Sequence, residues 1–318
     1  MAFPKKVMIR EVGPREGMQV EKTPVATEDK IRLVDMLSEC HFPVIEVTSF
    51  VSPKWVPEMA DAELIASGFK RHPGTEYQCV YLNSKGIERA QATGKFDLEG
   101  VISVIASETF SRKNTNRSIE ETFVEMDNRI STLREFNIPV STIAVMTAFG
   151  CNYEGDVDSQ HVLDLITRTI EKANAQGINP DRILLGDTVG WANPVSTEYL
   201  VGQVQDRWPQ KDIILHLHDT RGMGLTNAYV ALKMGVRNFD ASVGGLGGCP
   251  FGGFSGAAGN IATEDLVHMC HELGIETGVD LEKLLEVTRE AERILGRQLP
   301  SKVAQGGSLA AYRQPSHS

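Results

Sequence analysis

The two histidines of His216-Leu217-His218-Asp219 close a β-branched run, Ile213 to Leu217, in this 318-residue chain. Side chains two apart on a strand share a face, so both imidazoles can reach one cation. The same spacing also suits two hydrogen-bonded polar side chains in a core. A first β-branched run leads into Glu11-Val12-Gly13-Pro14-Arg15-Glu16. If the strands close into a barrel, the first strand neighbours the eighth and the eighth neighbours the seventh, which brings Glu16 within reach of a cation held by His216 and His218. Asn260, after the eighth strand, adds a neutral oxygen donor. Two imidazoles, a carboxylate and an amide oxygen, with positions left for water or substrate, suit octahedral Mg2+ or Mn2+ better than a closed structural zinc.

Arg15 beside that carboxylate needs a partner, because an unpaired guanidinium is costly at a partly buried site. Strand alternation makes Glu46 the natural one. The pair either ties strands one and two together or fixes a cation where an enolate oxygen develops. The segment Ser242-Val243-Gly244-Gly245-Leu246-Gly247-Gly248-Cys249-Pro250 is rich in glycine, which implies close backbone approach to a ligand or a mobile lid. Its Cys249 can donate or accept a proton, whereas Cys40, Cys79, Cys151 and Cys270 read as inert small core side chains. Glu11 and Asp187 are further carboxylates at strand ends, suited to orienting a histidine or accepting a proton. Asp187 could equally cap the helix that follows.

The elements that must position these residues alternate along the chain. Eight candidate strands, Val7–Val12, Val44–Phe50, Glu76–Leu82, Gly100–Ser107, Val140–Thr147, Arg182–Asp187, Ile213–Asp219 and Asn238–Val243, are each followed by a helix-like segment. This is the pattern of repeated βα units around a parallel sheet, and it predicts a TIM (β/α)8 barrel. A doubly wound open sheet would normally carry a glycine-rich dinucleotide loop after its first strand; here that strand runs into Gly-Pro-Arg-Glu-Gly. Thr27, Ser118 and Thr263 mark helix starts. The expected organisation is a catalytic barrel over residues 1–275 with a C-terminal helical extension over 276–318, including a helix at Leu281–Leu295 and a poorly ordered tail from Gly306 to Ser318.

A formal net charge of −10 disfavours nucleic acid and anionic membrane as partners. An anionic substrate remains compatible where a metal or a cation cluster overrides the mean field. Five scattered cysteines, no signal-peptide pattern and no run of about 18 apolar residues predict a cytoplasmic protein with reduced thiols.

The chain resembles the 3-hydroxy-3-methylglutaryl-CoA lyase family of metal-dependent barrel lyases over nearly its whole length. The resemblance is carried by Glu11–Gln19, Glu46–Pro57, Ser107–Asn114, Gly186–Gly190, His216–Thr220, Gly259–Asp265, Ser301–Gln305 and, most specifically, the Ser242–Pro250 loop. It implies that Glu16, His216, His218 and Asn260 hold the metal, which chelates the tertiary hydroxyl and free carboxylate of an acyl-CoA substrate. It implies further that the C2–C3 bond breaks to acetyl-CoA and acetoacetate, with Arg15 facing the enolate and Cys249 protonating it. A homodimer, and roles in leucine catabolism and ketone body formation, belong to the same implication. Three departures stand out: Glu16 replaces the usual Asp, the Cys249 to Asn260 loop is two residues longer, and Gly244 and Phe251 replace Ala and Tyr. The other readings are a lyase for a different C3 substituent, a Claisen-type synthase joining acetyl-CoA to a 2-oxo acid, and a silent binding barrel.

Overall fold

The computed structural model describes residues 3–21, 23–248 and 259–313. Eight parallel strands form one curled sheet: β1 (Met8–Glu11), β2 (Val44–Ser49), β3 (Glu76–Val80), β4 (Gly100–Ile105), β5 (Val140–Met146), β6 (Arg182–Asp187), β7 (Asp212–Leu217) and β8 (Asn238–Ala241). Their spatial order is β3-β2-β1-β8-β7-β6-β5-β4. The first strand therefore pairs with both the second and the last, with Arg10 opposite Val44 on one side and Asp240 on the other. At the remaining seam Asp97 stitches β3 toward β4: its N–H donates to the Tyr77 carbonyl and its carboxylate accepts the Tyr77 N–H. The architecture is a TIM barrel, and the doubly wound alternative is set aside.

Every strand is followed by a helix, from Thr27–Ser38 to Thr263–Glu272. Most strands end one or two residues before their β-branched runs do, because residues at the mouth leave the ladder to enter the loops. Strand residues alternate between two environments. Ile9, Ile45, Tyr77, Ile143, Ile183, Leu215 and Phe239 face the helices within the main core. Ala144, Leu184 and Ile214 form a small apolar layer of their own, and on the same inward parity lie Arg10, Glu46, Gln78, His216 and Asp240. The barrel interior is thus polar toward its mouth, where the site lies.

Of the three expected helix starts, Ser118 forms a capping box with Glu121. The helices expected at Thr27 and Thr263 begin on those residues, with Ala26 and Ala262 at the caps and no side-chain cap bond. Both hydroxyls are used elsewhere: Thr27 donates to Asp61 and Thr263 to Glu11. The helix Leu281–Leu295 packs on Thr27–Ser38 and Thr263–Glu272. Residues 306–313, expected to be loose, are tied down: Ser308 donates to Glu282, and Arg313, in the short helix Ala310–Arg313, forms paired bonds to Glu272. No helix among the described residues is long and apolar enough to cross a membrane.

Candidate metal centre

Three mouth segments converge. The residues after β1 coil into a helical turn, Gly13–Glu16, that carries Arg15 and Glu16 over the barrel. β7 delivers His216, and His218 follows its last residue. The chain returning after β8 lays residues 259–261 antiparallel against the end of β7, with Asp219 N–H donating to the Gly259 carbonyl and Ile261 N–H to the Leu217 carbonyl. This backbone pairing, bridged at His218 and Asn260, is what brings Asn260 to the histidines.

Ligand atoms of Glu16, His216 and His218 all lie within 4.8 Å of one another. Nε2 of His216 is 3.3 Å from Nε2 of His218 and 3.7 Å from Oε2 of Glu16. The Asn260 amide donates to the same Glu16 oxygen at 2.5 Å. Asn260 Oδ1 and His218 Nδ1 are buried without a hydrogen-bond partner among the described residues, an arrangement that costs free energy unless something is bound. An amide oxygen, two imidazoles and a carboxylate so placed fit a divalent cation.

Arg15 grips both sides. Its Nε donates to Glu46 at 2.5 Å and its Nη2 to Glu16 at 2.8 Å. Burial raises the Glu16 carboxyl, but Arg15 and the two histidines more than offset this and take it to about 2. Burial and the neighbouring His216 push His218 down to about 3, which keeps it an unprotonated ligand. Burial also lowers His216, yet Glu16 and Asp240 raise it above the ordinary histidine value.

Glu11 and Asp187 are the last residues of β1 and β6, at the strand ends where the sequence put them. Both lie on the parity that faces the helices. Glu11 is fully buried and accepts from Gly13 N–H, Val243 N–H and the Thr263 hydroxyl, so it pins the loops after β1 and β8 together. Burial pushes its carboxyl up to about 8. Asp187 accepts the Trp191 and Ala192 amides through Oδ1 and holds the turn after β6; the cap of the next helix is Asn193. Neither bonds a histidine. The side chain that does is Asp240, with Oδ2 at 3.0 Å from His216 Nδ1. Strand alternation could have found it, since Asp240 pairs in register with His216. Cys249 lies outside the described residues, as does Phe251. Gly244 is described, and at φ +64° an added Cβ would approach Leu299 Cδ1 to 2.3 Å, which accounts for glycine there.

An α/β barrel with a clustered carboxylate and two histidines at its C-terminal mouth is the frame of a metal-assisted barrel enzyme. The comparisons narrow this. The HMGL-like family model matches residues 6–290. A mitochondrial hydroxymethylglutaryl-CoA lyase from Rattus norvegicus is 46% identical over 95% of this chain and 90% of its own length. One from Bacillus subtilis (strain 168) is 41% identical over 95% of this chain and 97% of its own. Among solved structures, a B. subtilis HMG-CoA lyase superposes with a TM-score of 0.87 at 42% identity, covering 96% of this chain and 99% of that one. An A. baumannii HMG-CoA lyase in complex with coenzyme A and 3-methylmalate gives 0.85 at 38% identity, covering 98% of each. The chain belongs to the HMGL-like family and is a lyase of the hydroxymethylglutaryl-CoA lyase type.

Proposed function

We propose that this lyase cleaves 3-hydroxy-3-methylglutaryl-CoA to acetyl-CoA and acetoacetate, with Glu16, His216, His218 and Asn260 holding Mg2+ or Mn2+. The observation that carries the reading is the convergence of Glu16, His216 and His218 on one point, next to an unpartnered Asn260 oxygen. The bound cation would lower the pKa of the substrate's tertiary hydroxyl. The chain's own groups do the rest. A base at the mouth takes the hydroxyl proton as the acetoacetate carbonyl forms, and the C2–C3 bonding pair passes into the thioester as an enolate. Arg15, anchored by Glu46 and Glu16, offers its guanidinium to that oxygen. Cys249 then protonates C2 to give acetyl-CoA. Glu11 is committed on both oxygens, to the Gly13 and Val243 amides and the Thr263 hydroxyl, whereas Asp187 keeps Oδ2 buried without a hydrogen-bond partner among the described residues and is the candidate for that base. An acyl-CoA substrate agrees with the coenzyme A bound by the A. baumannii relative. The homodimer belongs to the same reading and rests on the family resemblance.

The test is a panel of 3-hydroxy-3-carboxymethyl acyl-CoA thioesters assayed with Mg2+ or Mn2+ and again with chelator. Cleavage of the methyl compound that chelator abolishes and metal restores is the expected result. Efficient cleavage of a longer analogue beside an inert methyl compound would shift the reading to a different C3 substituent. Condensation of acetyl-CoA with a 2-oxo acid, without cleavage, would mark a synthase.

A further inference from the structure

Below the metal centre a partly buried guanidinium, that of Arg10, joins its two halves. Arg10 points into the barrel from β1, and its Nε and Nη2 donate to the two oxygens of Asp240 at 2.9 and 2.6 Å. Its Nη1 donates to Gln78 at 3.3 Å and stands 4.0 Å from Glu46, the anchor of Arg15. Asp240 is fully buried, and Arg10 holds its carboxylate well below the usual range against the burial that raises it. The Asp240 oxygen that takes Nη2 of Arg10 is the one that meets His216 Nδ1.

We propose that Arg10 is a positioning residue for the metal centre, acting through Asp240. Two parallel bonds from one planar guanidinium fix the carboxylate plane, which a single bond would leave free to rotate. With that plane fixed, Oδ2 accepts from Nδ1 of His216, holds the proton there, and leaves Nε2 as the electron-pair donor aimed at Glu16 and His218. A methionine fills similar space but makes neither bond, and a lysine supplies charge without the fork. The inference rests on the metal-centre reading above and adds to it a residue outside the ligand set.

The full chain, freed of metal, is titrated with Mn2+ while water-proton relaxation is followed, and thermal unfolding is recorded alongside. Arg10→Met is expected to raise the Mn2+ dissociation constant about 10-fold or more, with Arg10→Lys between it and wild type. Lys30→Met is the control for general loosening, because buried Lys30 pairs with Asp61 at 2.9 Å and shares no hydrogen bond with the Arg10, Gln78 and Glu99 network; it lowers the melting temperature and leaves Mn2+ affinity within about twofold. A folded Arg10→Met protein with wild-type affinity, or a Lys30→Met protein weakened as much as Arg10→Met, overturns the proposal. Should Arg10→Met not fold, Asp240→Asn carries the same expectation, and wild-type affinity in that variant overturns it equally. Wild-type protein that binds no Mn2+ would instead remove the metal centre itself.

Discussion

Nε of Arg15 lies 2.5 Å from Oε1 of Glu46, so the second strand holds a guanidinium that the turn after β1 carries. Its Nη2 meets Glu16, so one guanidinium links the carboxylate proposed to bind the metal to the anchor on β2. If Arg15 stabilises the enolate, Arg15→Lys lowers kcat by about 100-fold or more, the typical cost of removing one such donor, because a point charge cannot keep the fork to both carboxylates. Steady-state kinetics under saturating Mn2+ check this, and a rise in KM with kcat unchanged would make Arg15 a binding group only.

Cys249→Ser addresses the proton donor. A hydroxyl is a far weaker acid than a thiol, and general acid catalysis contributes about 10²–10⁴-fold. Turnover is expected to drop within that range while Mn2+ binding persists. Undiminished cleavage would take Cys249 out of the mechanism.

Glu11 makes stability depend on pH. Its carboxyl is at about 8 in the fold against an ordinary 4.5. Between those values the folded chain keeps a proton that the unfolded chain has released, so stability present below about 4.5 declines as pH rises toward 8. The slope is at most about 1.4 kcal/mol per pH unit. Glu11→Gln cannot titrate, and its melting temperature should change less across pH 5 to 8 than that of wild type. Parallel curves for the two proteins would show that Glu11 is ionised in the fold.

Periodicity in the sequence was enough to specify the eight βα units and the order of the strands around the barrel, because both are local patterns read through a general closure rule. His216 and His218 were legible for the same reason: two residues on one strand must share a face. Helix starts were legible as well: Thr27 and Thr263 open their helices as expected, while their hydroxyls serve distant carboxylates instead of capping.

Tertiary structure alone decided which carboxylate does what. Glu11, Asp187 and Asp240 all sit on or at the end of a strand, and composition does not separate them. The barrel does: Glu11 and Asp187 fall on the face turned to the helices and hold loop amides, while Asp240 falls inward onto His216 and Arg10. The approach of Asn260 to His218 likewise depends on backbone pairing between segments some forty residues apart, which no local pattern announces. Hydrogen-bond commitment is a property of three-dimensional neighbours, so the chain's order fixed the scaffold and the fold assigned the roles.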